Sequence, residues 1–83
     1  MQHYSYHTSG TCSVQIDFDI DDEGLLHNVR YLGGCDGNLQ GIGRLVEGLS
    51  AAEVRNRLAG IRCGFKDTSC PDQLARALAE ATA

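Results

Sequence analysis

Hydrophobic and polar residues alternate along the first part of the chain. The clearest run has apolar side chains at every second position, namely Val14, Ile16, Phe18 and Ile20. A period of two is typical of a β-strand that buries one face and exposes the other. Tyr4 and Tyr6 alternate with polar neighbours in the same way, and the turn residues at 21–24 precede another apolar segment. The pattern predicts an antiparallel meander of about three strands, at roughly 2–8, 12–20 and 25–33. In the third strand, the alternation predicts one common face for Leu25, His27, Val29 and Tyr31.

The hydrophobic period changes after the glycine-rich segment at 33–37. Apolar residues then recur every three or four positions, which indicates helices. Ser50 and Glu53 have the spacing of a capping box that begins a helix. Pro71 suits the first turn of another helix, where its missing N–H leaves no hydrogen bond unmade. The predicted helices cover roughly residues 37–47, 51–59 and 71–81. Strands followed by helices predict a single α+β domain over residues 1–83.

Two glycines lie inside the first predicted helix. Gly41 and Gly43 would each cost about 1 kcal/mol relative to alanine in a helix interior. Their presence indicates close packing or a close backbone approach at this helix.

Charge and hydropathy exclude some classes of function. Asp and Glu outnumber Lys and Arg by 11 to 7, which gives a net charge of −4. Nucleic-acid binding needs a basic surface, so we expect no nucleic-acid partner. The chain has no run of about 18 apolar residues and no signal-peptide pattern at its start. These features predict a cytoplasmic protein that does not span a membrane.

Four cysteines are the candidate functional residues, and each lies in a loop or at the end of a predicted element. They are Cys12, Cys35, Cys63 and Cys70. In a secreted chain they would predict two disulfides with three possible connectivities. In a reducing cytosol, four cysteines in so short a chain indicate metal binding or redox chemistry. Separate buried cysteines that act as small hydrophobic residues are a further alternative.

The positions of two cysteines favour metal binding. Cys35 precedes a predicted helix, and Cys70 occupies the expected N-cap position just before Pro71. A helix N-terminus carries unpaired N–H groups and partial positive charge, which favour the thiolate form that binds metals. We expect Cys12 and Cys35 from the strand side to meet Cys63 and Cys70 from the helical side around one zinc ion. The three histidines, His3, His7 and His27, are not required, because four thiolates already complete a zinc site.

The segment Thr68-Ser69-Cys70-Pro71-Asp72 spells a five-letter signature. This signature is that of the TSCPD domain family, and the chain resembles that family over nearly its whole length. Such domains occur at the C-terminus of vitamin B12-dependent ribonucleotide reductases and as small separate proteins. The resemblance implies metal binding by all four cysteines. It also implies an accessory or interaction role, with a ribonucleotide reductase or another protein as partner, and no catalysis by this chain alone.

A fainter similarity connects the chain with iron–sulfur cluster scaffold proteins. The order of elements, the Gly34-Cys35 pair and a cysteine at the start of the last helix are similar in placement. Ser69 replaces the histidine of those scaffolds, and Cys63 is an additional thiol. The similarity implies a scaffold-like fold, with an iron–sulfur cluster as the alternative to zinc. A thiol redox protein that uses Cys63 and Cys70 is the third alternative.

Overall fold

The computed structural model describes residues 1–11, 13–34 and 36–82. The elements are the strands β1 (Gln2–His7), β2 (Ser13–Ile20) and β3 (Leu26–Gly33) and the helices α1 (Asp36–Val46), α2 (Ala51–Leu58) and α3 (Cys70–Ala81). The strands form one antiparallel sheet in the order β1-β2-β3. The predicted α+β meander followed by three helices is therefore confirmed, and most boundaries agree within about one residue. Only Cys12, Cys35 and Ala83 lie outside the described residues.

The core lies between one face of the sheet and the helices. It contains Ile16, Phe18, Leu26, Val46, Ala51, Val54, Leu74, Ala77 and Leu78. Helix α2 packs against α3, and α1 packs against β3. None of the helices in the described part of the chain has the length and apolar character needed to cross a membrane.

A β-bulge in β3 changes which residues face the core. His27 lies opposite Asp19, but Arg30 is already opposite Asp17, so β3 contains one extra residue there. Asn28 in this segment has a left-handed φ of 56°. A bulge moves the following side chains to the other face, and the buried residue before it is Leu26. The predicted common face is therefore wrong, because the bulge interrupts the alternation of Leu25, His27, Val29 and Tyr31.

A second irregularity in β2 turns Ser13 toward the interior. Ser13 pairs with Gly33, whereas Gln15 pairs with Leu32, so β2 has the extra residue here. Val14 is consequently 56% exposed, and Ser13 is only 4% exposed. Simple alternation had predicted Val14 on the core side, which is wrong for the same reason as in β3. The result is a buried hydroxyl at the end of the sheet that faces α3.

The close approach of α1 to β3 explains one of the two helical glycines. A Cβ atom on Gly43 would lie 2.8 Å from the carbonyl oxygen of Val29, a distance that requires the backbone to move. A Cβ atom on Gly41 would have no neighbour within 4 Å. Only Gly43 therefore serves the close packing predicted from sequence.

These two glycines provide a matched pair of alanine variants. Gly43→Ala should lower the free energy of unfolding by about 1–3 kcal/mol, because the methyl group forces α1 away from β3. Gly41→Ala should raise it by up to about 1 kcal/mol through helix propensity. Urea unfolding measures both changes. Equal effects of the two variants would contradict the close approach at Val29.

An ion-pair cluster joins the β2–β3 hairpin to the end of α1. His27 Nε2 is 2.7 Å from Asp21 Oδ2, and His27 Nδ1 is 2.5 Å from Glu47 Oε2. The Glu47 carboxylate also accepts the backbone N–H of Asn28 at 2.8 Å, and so holds the bulge. Hydrogen bonds to Asp21 and then to Glu47 raise the pKa of His27, since both ring nitrogens face carboxylates and favour the imidazolium.

This cluster predicts a loss of stability on the alkaline side. Because the pKa of His27 is higher in the folded state, its contribution is complete below the ordinary pKa of about 6.5 and disappears as the pH rises through the raised value. Urea midpoints from about pH 5.5 to 9 should therefore fall for the wild type. The decrease should be smaller for His27→Gln, and parallel curves for the two proteins would contradict the cluster's role.

Candidate functional site

The signature segment forms the N-terminus of α3. Ser69 has an extended backbone and is the N-cap, with its hydroxyl accepting the N–H of Asp72 at 3.1 Å. Cys70 is the first helical residue and is 9% exposed. The N-cap position predicted for Cys70 is thus corrected by one residue. Pro71 lies in the first turn, as predicted. Cys70 therefore begins the helix, at the end with unpaired N–H groups and partial positive charge.

Asp72 connects this helix to the loop that precedes it. Its carboxylate accepts the N–H of Gly60 at 2.7 Å, the Thr68 hydroxyl, and Nε of Arg76 at 2.9 Å. Burial raises the pKa of Asp72, but these donors outweigh burial and hold the pKa below its ordinary value. The carboxylate is therefore ionised at neutral pH and fixes both ends of the loop between α2 and α3.

Gln73 fixes the N-terminal segment to the same site. Its fully buried side chain donates from Nε2 to Thr68 Oγ1 at 3.0 Å and accepts the N–H of Ser9 at 3.1 Å. Gly10 lies nearby with a φ of 74°, and a Cβ there would be 3.2 Å from Cγ2 of Thr68. The segment that leads to Cys12 therefore passes directly over Thr68.

The ends of two strands meet at Cys70. Its Sγ is 3.2 Å from the buried hydroxyl of Ser13, and its carbonyl oxygen accepts the Tyr31 hydroxyl at 3.0 Å. Burial, and next the charge of Cys70, raise the pKa of Tyr31, so its hydroxyl keeps the proton that it donates. A Cβ on Gly34 would lie 3.3 Å from the backbone N of Ser13, so these two residues are also close. In the sequence, Ser13 follows Cys12 and Gly34 precedes Cys35.

Cys63 lies in the exposed loop that Asp72 fixes. Its N–H donates to the carbonyl oxygen of Thr68 at 3.2 Å, and its own carbonyl accepts the N–H of Lys66 at 3.0 Å. Cys63 is exposed, and the turn that it begins presents a fully exposed Phe65. Thr68 thus links the backbone of Cys63 to the start of α3.

The structure tests only part of the predicted cysteine site. Cys63 and Cys70 are described and share Thr68 as a neighbour, whereas Cys12 and Cys35 lie outside the described residues. Over residues 1–11, 13–34 and 36–82, no three His, Cys, Asp or Glu side chains are arranged to hold a metal ion. The shared four-thiolate site therefore stays a prediction.

The surroundings of the Cys70 sulfur are compatible with a metal ligand. The Ser13 hydroxyl lies at hydrogen-bond distance, and polar groups of Thr68 and Ser69 are buried next to it in the chain. Groups that hydrogen-bond to a ligand side chain orient it and are a usual part of a metal site. Thiolate sulfur is also a preferred ligand of zinc. Cys70 is thus a ligand of a type that zinc accepts.

The sequence did not indicate the contacts of the polar residues that position Cys70 and the loop of Cys63. These residues are Ser13, Thr68, Asp72, Gln73 and Arg76. Two local signals were present. Ser69 and Asp72 have the spacing of an N-cap and its first-turn acid, and Asp72 and Arg76 have the spacing of a helical ion pair. No comparable signal existed for Ser13, because its burial depends on the irregularity in β2.

Comparison with known proteins assigns the family. The family model described as the TSCPD domain matches residues 1–82. The chain belongs to the TSCPD domain family. No curated protein and no solved structure matches it, so the similarity to iron–sulfur scaffolds stays a prediction.

In this TSCPD domain, each letter of the signature has a structural role. Thr68 bonds Asp72 and Gln73, Ser69 caps α3, Pro71 starts the first turn, and Asp72 holds the loop at Gly60. These four residues fix the backbone on both sides of Cys70. The signature therefore fixes the Cys70 thiol at the N-terminus of α3.

Proposed function

We propose that this TSCPD domain is a small zinc-binding module whose site consists of Cys12, Cys35, Cys63 and Cys70. The observation that carries the proposal is that Ser13 lies beside the Cys70 sulfur with its hydroxyl and close to Gly34 with its backbone. Each is the chain neighbour of another cysteine. The backbone hydrogen bond from Cys63 to Thr68 supports the inclusion of the fourth thiol.

The proposed role of the metal is structural. Four protein thiolates close the coordination sphere of zinc, whereas catalytic zinc sites keep one position for water or substrate. Cys63 lies in the loop between α2 and α3 and Cys70 begins α3, while in the sequence Cys12 directly precedes β2 and Cys35 follows β3 after one intervening residue. Zinc would supply the cross-link that joins these parts, while Asp72 and Ser13 orient the chain at the site.

We further propose that the module acts by contacting another protein. Phe65 is fully exposed two residues after Cys63, so a metal bound by Cys63 would fix the turn that presents this ring. Aromatic side chains are frequent anchors of protein interfaces. The family resemblance makes a vitamin B12-dependent ribonucleotide reductase the first partner to test. Phe65→Ala should weaken binding, and absence of binding by the wild type would contradict this partner.

Elemental analysis of protein purified without oxygen or chelator tests the metal proposal. We expect a colourless protein with about one zinc per chain. A brown protein that contains iron and sulfide would favour the cluster alternative. A Cys63–Cys70 disulfide that cycles at about −200 to −270 mV would favour the redox alternative. Metal-free protein with all thiols reduced would contradict the zinc module.

A further inference from the structure

Strand β1 forms an edge of the sheet with regularly spaced outward hydrogen-bonding groups. The N–H of Thr8 donates to Val14 on β2 at 3.0 Å. Because backbone groups of antiparallel strands alternate sides, the main chains of Tyr4 and Tyr6 also face β2. The N–H and C=O groups of His3, Ser5 and His7 then point away from the sheet, where another strand can bind them.

This edge lacks the features that usually prevent pairing with a further strand. None of residues 1–11 is Asp, Glu, Lys, Arg or Pro. The register between β1 and β2 runs without a bulge from Gln2 to His7. Edge strands are normally protected by charges, proline or bulges. An uncharged, regular and uninterrupted edge is therefore available for pairing.

The sequence of β1 is symmetric, as expected of a strand that pairs with a second copy of itself. Residues 3–7 read His-Tyr-Ser-Tyr-His, which is the same in both directions. We propose that two copies pair antiparallel through β1 about a twofold axis at Ser5, forming a continuous six-stranded sheet. His3 of each copy then lies opposite His7 of the other. Every outward donor meets an acceptor, which gives about six hydrogen bonds between the chains.

The side chains of β1 suit this arrangement on both faces. On the outer face, His3 and Ser5 bond Asp19 and Asp17 of their own β2, so these side chains do not obstruct the edge. On the helical face, the twofold axis places Tyr4 opposite Tyr6 of the second copy. Cross-strand aromatic pairs stabilise neighbouring strands.

A groove beside the edge provides space for the added tyrosines. Its volume is about 220 Å³, and its lining residues are Tyr4, Ser5, Tyr6, Phe18, Ala77, Glu80 and Ala81. The small alanine side chains of α3 leave this space open next to the two tyrosines. A strand that adds to an edge gains affinity from main-chain hydrogen bonds and specificity from such side-chain sites.

Sedimentation equilibrium of the full chain tests the dimer against matched variants at position 5. Wild type should reach twice the chain mass of 8.9 kDa between about 10 µM and 1 mM, and Ser5→Ala should behave alike because it keeps the N–H. Ser5→Pro removes an N–H that faces outward, so the monomer should still fold. The dissociation constant of its dimer should be at least about tenfold higher, which corresponds to the loss of one or two hydrogen bonds.

Amide hydrogen exchange on the wild type provides a readout that needs no variant. Protection of His3, Ser5 and His7 should increase with protein concentration, while that of Tyr4 and Tyr6 should change less because these amides already bond β2. Concentration-independent exchange at all five amides would overturn the proposal. A monomer throughout the concentration range, or equal dimerisation by Ser5→Pro, would overturn it as well.

Discussion

Removal of the proposed zinc ion with a strong chelator should unfold the TSCPD domain at room temperature or lower its Tm by about 20 °C or more. Structural zinc contributes on the order of 10 kcal/mol in small metal-binding peptides at neutral pH. A core of this size leaves a margin of only about 3–5 kcal/mol. A ligand that binds only the folded state stabilises it by mass action. Because the contribution of zinc exceeds the margin of the core, the protein without zinc should unfold.

The loop that carries Cys63 should respond first. Residues 61–67 are all exposed, and the loop is held by backbone bonds and by Asp72 rather than by apolar packing. Far-UV circular dichroism during heating, with and without chelator, measures the effect, and adding back Zn²⁺ but not Mg²⁺ should restore the original Tm. An unchanged Tm after verified loss of zinc would contradict a structural role for the metal.

Asp72→Asn should lower the free energy of unfolding by about 2–4 kcal/mol, even though it changes the side-chain volume very little. Asp72 is 4% exposed, and its carboxylate accepts hydrogen bonds from Gly60, Thr68 and Arg76. An amide has one acceptor oxygen and places an N–H₂ group against at least one of these donors. Buried polar groups that lose a charged partner cost about this much. For a domain of this length, the corresponding decrease in Tm is roughly 10–20 °C.

Asp67→Asn is the matched control for this variant. Asp67 is exposed in the same loop, so its substitution should change the free energy of unfolding by less than about 0.5 kcal/mol. Thermal and urea unfolding of both variants give the comparison. Similar losses for Asp67→Asn and Asp72→Asn would mean that the Asp72 network does not fix the loop.

The hydrophobic pattern predicted the elements of the fold but not the faces of the strands. The periods of two and of three to four located three strands and three helices, because burial on one side imposes these spacings. The pattern did not predict the irregularities in β2 and β3, because they depend on how the strands pair. Asn28 adopts a left-handed conformation that is stabilised from a distance by Glu47. No local pattern reports such a partner.

The sequence predicted that Cys70 and Pro71 begin the last helix, but it did not predict the residues that support them, and the shared cysteine site stays a prediction. The positions of the cysteines in loops and at element ends indicated a shared site, and Pro71 located the start of the last helix. The partners of Asp72 and Gln73 are Gly60 and Ser9, which are distant in the sequence and contribute backbone N–H groups. Every residue except proline has such a group, so side-chain identity carries no information about these contacts.

X-ray absorption fine structure at the zinc edge tests the central claim most directly, because it counts the sulfur atoms around the metal. The account predicts four sulfur neighbours at about 2.3 Å in the wild type. It predicts three in any single Cys→Ser variant at position 12, 35, 63 or 70 that still retains zinc. Nitrogen and oxygen as the only neighbours of the zinc, or the same number of sulfur neighbours in the wild type and the variants, would contradict it.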